Sequence, residues 1–131
     1  MAGGFVYNAI DQTEVATAEI YGKAISDIMQ KDPRVCAITA DLAKSTKLGD
    51  VLKTCPERVI NVGIAEQDMF GVGAGMARAG MIPFISGFSV FTSMRACDQL
   101  HTDICYQNVN AKIIATHAGT SFGQAGSTHH A

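Results

Sequence analysis

Among the carboxylates of this chain, Glu66 has the most informative surroundings. It follows the run Asn61-Val62-Gly63-Ile64-Ala65 and leads into a stretch of glycine and apolar residues, Gly71 to Gly80 (GVGAGMARAG). A carboxylate so placed is either an ordinary charge favoured by the positive end of a helix dipole or the acid of a ligand pocket. Phe88 and Phe91 stand at the close of the next apolar run, and His117 closes another. One carboxylate, two aromatics and a histidine converging on one rim can form an apolar slot holding a single acid. Asp41, at the end of a fourth run, joins the candidates.

Other chemistries find less support. In GVGAGMARAG the third glycine of a dinucleotide fingerprint would fall at Met76, and the segment lies inside a helical pattern rather than in the turn after a first strand. Small residues four apart, Gly71 with Gly75 and Gly73 with Ala77, instead suggest a close approach of this helix to another backbone. His117, His129, His130 and the cysteines lack the spacing of a structural zinc site, so no metal ligand is assigned. No nucleophile elbow of the GxSxG type occurs.

The elements that must position these residues follow from periodicity. Apolar residues from Val15 to Met29 recur at helical spacing, predicting an amphipathic helix over Thr13 to Lys31 with Thr13 as a possible cap. Four short apolar runs read as strands: Arg34 to Ala40, Arg58 to Gly63, Met81 to Phe88 and Ala111 to His117. Near-continuous apolarity is the pattern of strands buried on both faces. Helices are expected between them, at about Leu42 to Thr54, Glu66 to Ala79 and Phe91 to Gln107. Alternating strand and helix predicts an α/β fold with a doubly wound, mainly parallel sheet. Ligands of such sheets bind beyond the carboxyl ends of the strands, where Asp41, Glu66, Phe88, Phe91 and His117 fall.

Composition narrows the setting. The 131 residues fit one domain over 1–131. Apolar residues make up 47% and charged residues 17%, with mean hydropathy +0.15, so part of the apolar surface is expected to face a partner. The net charge of −2, without a Lys/Arg run, speaks against nucleic acid or an anionic membrane as partner. No apolar run reaches the roughly 20 residues of a membrane span, and the first eight residues lack the pattern of a signal peptide. Cys36, Cys55, Cys97 and Cys105 form no CxxC pair and are read as reduced core thiols of a cytoplasmic protein. The Gly/Ser/Thr/His loop at the end stands where a helix would cover the sheet, so the chain is expected to be truncated or the first part of a longer subunit.

Three segments, NVGIAEQDMFGVGAGMARAG, GFSVFTSMRACDQLHTDICYQN and THAGTSFGQAGSTHHA, resemble consecutive signatures of the pyrimidine-binding domain of transketolases, especially the form split over two subunits. The resemblance covers about residues 13 to 131. GIAEQ is shared with 1-deoxyxylulose-5-phosphate synthases and, more loosely, with the β subunits of 2-oxo acid dehydrogenases; the other two segments favour the transketolase branch. An enzyme of either of those kinds, or a catalytically silent assembly subunit, is the alternative, the last disfavoured by the presence of Glu66, Phe88, Phe91 and both histidines.

The resemblance implies thiamine diphosphate as cofactor and transfer of a two-carbon ketol unit between sugars, with sugar phosphates as substrates. It makes Glu66 and His129 catalytic, Glu66 by bonding N1′ of the aminopyrimidine and His129 near the 4′-amino group. Asp41, Ile64, Phe88, Phe91 and Met94 would contact the cofactor, while Ser45 and His117 would contact substrate. The Gly-Asp-Gly and downstream Asn that hold Mg²⁺ in the family are absent from these residues. The resemblance therefore assigns Mg²⁺ and the diphosphate to a partner subunit, with homodimerisation of this chain and a heterotetramer as the expected assembly. Ala18 and Ala125 stand where relatives carry a phosphate-pairing Arg and a donor-binding Asp, which implies an unusual donor ketose or a replacement cation.

Overall fold

The computed structural model describes residues 16–131. The expected cap at Thr13 and the first turn of the expected first helix lie outside them. Within them, helix α1 (Thr17–Lys31) buries Gly22, Ile25, Ser26 and Met29, a stripe at helical spacing. It stops at Asp32, the residue before Pro33, where the proline ring disfavours helical backbone. Strand β1 (Val35–Thr39) is buried at all five positions. Helix α2 (Gly49–Thr54), β2 (Val59–Asn61), α3 (Glu66–Arg78), β3 (Ile82–Phe88) and β4 (Lys112–Thr116) follow.

All pairings are parallel and the strand order is β2-β1-β3-β4. The chain therefore steps outward from β1 to β2 and returns across β1 to β3, the doubly wound arrangement. Helices cover both faces. Ile25, Met29, Leu48 and Val51 pack on Val35 and Ala37, whereas Met69, Phe70, Ala74, Ala96 and Ile104 pack on Ile38 and Ile85. Consecutive residues Ala37 and Ile38 thus serve opposite layers, which is why the β1 sequence is apolar throughout. Each large side chain sealed in these layers contributes about 1.5–3 kcal/mol. On α3, a Cβ at Gly73 would lie 2.5 Å from Ile85 Cδ1, so the helix is close-packed there, but against strand side chains and not against another backbone as expected. A Cβ at Gly71 would meet only Asp103 Oδ2, at 4.0 Å, and one at Gly75 would meet nothing within 4 Å, so for these two glycines that expectation is corrected.

Three further expectations are corrected. The helix expected from Leu42 begins only at Gly49, because Lys47 takes φ 62° and ends the preceding turn. The helix expected over Phe91 to Gln107 consists of two π turns, Phe91–Arg95 and Leu100–Cys105, either side of one α turn, Cys97–Gln99. Their mark is the bond from residue i to i−5: the amide of Ala96 donates to the Phe91 carbonyl at 3.2 Å and that of Tyr106 to the His101 carbonyl at 2.8 Å. Finally, only Cys36 and Cys55 are core thiols; Cys97 and Cys105 lie on the exposed side of this rod.

Candidate active site

The reversal of strand order falls between β1 and β3, and ligands of doubly wound sheets bind beyond the strand ends at that point. A cavity of about 280 Å³ lies there, lined by Asp41 beyond β1, Ile64 and Glu66 at the start of α3, Phe88 at the end of β3, Phe91 and Arg95 on the first π turn, and His129 from the final loop. Six of the residues selected from sequence therefore meet in one place.

Local chemistry explains how each is held. Asp41 takes φ 60°, a strained value for a side-chain-bearing residue. Asn61 at the end of β2 holds it there: the Asp41 amide donates to Asn61 Oδ1 at 2.9 Å, and Asn61 Nδ2 donates to Asp41 Oδ1 at 3.2 Å. Asn61 Oδ1 also accepts from the amide of Gly63 (3.0 Å), whose φ of 76° turns the chain into α3. One amide side chain thus ties the β1 end to the turn that delivers Glu66.

Glu66 is 2% exposed. Nη1 of Arg95 donates to both its carboxylate oxygens at 2.9 Å. The Arg95 Cζ stands 4.2 Å from the Phe91 ring centroid, a cation–π contact. The expected apolar slot with a single acid is therefore corrected: Glu66 shares the cavity with a half-exposed guanidinium and with Asp41.

Phe88 and Phe91 stack with centroids 5.9 Å apart. Phe122, from the final loop, meets Phe88 edge-on at 4.9 Å and His129 at 5.1 Å, while His129 meets Phe91 at 5.2 Å. His117, at φ 58°, lies 4.6 Å from Phe88 and joins Thr116 Oγ1 through Nδ1 at 2.9 Å. It lines not the first cavity but a neighbouring one of about 550 Å³, together with Thr17, Ala18, Tyr21, Thr116 and Ser121.

Two selected residues lie elsewhere. Met94 is 69% exposed and lines neither cavity. One α turn after Phe91 would have brought it to the site, but the wider π turn brings the fourth residue, Arg95, over Phe91 instead. Ser45 is exposed in the turn before α2 and lines neither cavity. Arg95, Asn61 and Phe122 were not selected from sequence. Asn61 reads there as the polar end of a strand, and nothing in the spacing separates Phe122 from a loop aromatic.

Among the described residues no group of three or more His, Cys, Asp or Glu is placed to hold a metal ion, and no helix is long and apolar enough to cross a membrane.

The family model described as transketolase, pyrimidine binding domain, matches residues 13–131. The chain is 40% identical over 109 residues to a putative transketolase C-terminal section of Methanocaldococcus jannaschii, covering 83% of this chain and 34% of that protein. It is 36% identical over 111 residues to a 6-deoxy-6-sulfo-D-fructose transketolase subunit of a Clostridium species, covering 85% and 34%. A solved structure described as a split-gene transketolase, inactive beta4 tetramer, superposes with a TM-score of 0.76 at 46% identity, covering 89% of this chain and 37% of that one. The chain thus spans about a third of the length of the curated relatives it matches.

Proposed function

This chain belongs to the transketolase pyrimidine-binding-domain family, and on that premise we propose that it forms the pyrimidine half of a thiamine-diphosphate site in a ketol transferase whose other half, with the diphosphate and Mg²⁺, comes from a partner subunit. The observation that carries this reading is the convergence of a buried carboxylate, the stacked Phe88 and Phe91, and His129 around a cavity of about 280 Å³. A flat heterocycle with ring nitrogens and an exocyclic amine fits that donor set: aromatic faces for stacking, one acid for a ring nitrogen, one imidazole for a polar substituent.

When bound, thiamine diphosphate supplies the nucleophilic carbon that attacks a ketose carbonyl. The chain's residues act around it. Glu66 holds a proton at N1′, and its burial keeps water from competing for that bond. Phe88 and Phe91 would enclose the ring, and His129, joined to Thr128 Oγ1 through Nδ1 at 2.9 Å, lines the site with them. The split-gene structure that resembles this chain is described as inactive in its beta4 form, which agrees with a site needing two kinds of subunit.

The larger cavity beside His117 is the place for the donor sugar. Its wall includes Ala18 and no Lys or Arg among the described residues, so a phosphate bound there lacks the charge-assisted pairing that stabilises phosphosugars by about 1.5–3 kcal/mol. A relative's designation as a 6-deoxy-6-sulfo-D-fructose transketolase subunit supports a donor outside the common ketose phosphates.

Calorimetry tests both parts. The subunit alone should show no tight Mg²⁺-dependent binding of thiamine diphosphate, whereas the pair should bind it and transfer a ketol unit. In a donor panel, xylulose 5-phosphate should lose roughly 10- to 150-fold of its usual advantage over unphosphorylated or modified ketoses. Tight binding by the single chain would overturn the two-subunit reading, and turnover of pyruvate instead of ketoses would overturn the donor class.

A further inference from the structure

Arg95 makes, within this chain, the two contacts that a pyrimidine ring would require of the site. Its guanidinium is planar, cationic and rich in N–H donors. It donates from one nitrogen to both oxygens of Glu66 at 2.9 Å and lies 4.2 Å over the Phe91 centroid. Both partners line the cavity proposed for the cofactor, and Arg95 lines it with them. The pairing is no surface accident, because the acid is 2% exposed and Arg95 is the cation that meets it. The arginine side chain itself is 48% exposed and reaches in from the π turn, so a route outward to solvent is open to it.

We propose that Arg95 is an intramolecular competitor for the pyrimidine of thiamine diphosphate, a reading that rests on the cofactor assignment above. A ring that hydrogen-bonds Glu66 and stacks on Phe91 takes both of Arg95's contacts at once, so the guanidinium must swing out before the ring is seated. Apparent affinity is then the intrinsic affinity multiplied by the fraction of molecules with Arg95 displaced. A pair with one buried and one half-exposed member lies between a surface ion pair and a buried charged hydrogen bond, which sets that fraction at about one in ten. The same contact gives Glu66 a counter-charge whenever the ring is elsewhere, sparing the fold a buried unpaired carboxylate. Arg95 thus trades cofactor affinity for stability.

The test compares wild type, Arg95→Ala and Arg95→Lys in the full subunit reconstituted with its diphosphate-binding partner. Binding of thiamine diphosphate with Mg²⁺ is measured by calorimetry, and inorganic diphosphate with Mg²⁺ serves as the probe that does not reach Glu66. Arg95→Ala should bind thiamine diphosphate about tenfold more tightly than wild type while inorganic diphosphate binds all three equally. Arg95→Lys, which keeps the charge without a plane to lie on Phe91, should fall between. A melting temperature lowered in Arg95→Ala without cofactor, and restored by saturating cofactor, completes the expected pattern. If wild type binds thiamine diphosphate and Arg95→Ala binds it no more tightly, the competitor role is refuted alone. If all three bind inorganic diphosphate yet gain nothing from the pyrimidine end, the cofactor assignment falls and the competitor with it. Weakening of both ligands in Arg95→Ala would show a structural role and would also refute the proposal.

Discussion

Glu66 carries the sharpest consequence at the scale of single residues. Glu66→Gln keeps shape and one acceptor but cannot pass a proton, so in the reconstituted enzyme proton exchange at the cofactor's reactive carbon and kcat should fall at least ~10²-fold at saturating cofactor. NMR of the exchange rate decides this, and an unchanged rate would remove Glu66 from the chemistry. The acid was legible in sequence because it follows a strand and opens a glycine-rich helix, and Phe88 and Phe91 because they end the next strand. Arg95 was not. Its relevance depends on a helical turn of the wrong width, which shifts the residue over Phe91 from the third position to the fourth, and apolar periodicity carries no mark of that. Asn61 was hidden for another reason: its side chain spans two strand ends that only the folded sheet brings together.

Between elements, the contact most open to test is the one that ties α1 to the sheet. Tyr21 shares a 2.6 Å hydrogen bond with Ser86 on β3. Burial pushes the Tyr21 phenol from 10.0 up to about 12, with the Ser86 bond pulling weakly the other way. A group that holds its proton more tightly when folded contributes stability that is full below pH 10 and is lost as pH rises toward 12. Tyr21→Phe should therefore flatten the alkaline part of the stability–pH curve and cost about 0.5–1.5 kcal/mol at neutral pH, since the buried Ser86 hydroxyl loses its partner. Denaturant titrations across that range measure it, and an undiminished alkaline slope would place the loss elsewhere. Strands and α1 were readable from sequence because burial on two faces, or on one stripe, imprints periodicity. The segment 42–48 was not, because its path is set by left-handed backbone at Asp41 and Lys47 and not by which residues are apolar.

For the molecule as a whole, the distribution of apolar surface matters more than its amount. Ile64 is 77% exposed and Met94 69%, on the α3 turn and the π turn whose neighbours Glu66 and Arg95 are paired across the cavity. Apolar side chains exposed beside a cavity belong to a face that another surface covers. Ile64→Glu should thus weaken association with the partner subunit at least tenfold while leaving the melting temperature of the isolated subunit within about 2 °C. Light scattering of the mixed subunits reads the first quantity, and full association would locate the interface elsewhere. The low charge of the sequence pointed to a partner without saying where it sits, since composition has no address.

The two π turns bear on how such a chain can change length. A π turn is one residue inserted into a helix and absorbed within a single turn, so the helical faces before and after it keep their direction. Deleting one residue from 91–95 would return the segment to α geometry while Ala96 and Ile104 still met the α3 layer. If the lost residue is one of 92–94, Arg95 becomes the third residue after Phe91 and still stands over its ring; if Arg95 itself is lost, Met94 takes that place. Descendants of this gene could therefore lose a codon from 92–94 and keep both the core and the arginine that meets the buried acid, so the length of this segment is free to change where its chemistry is not.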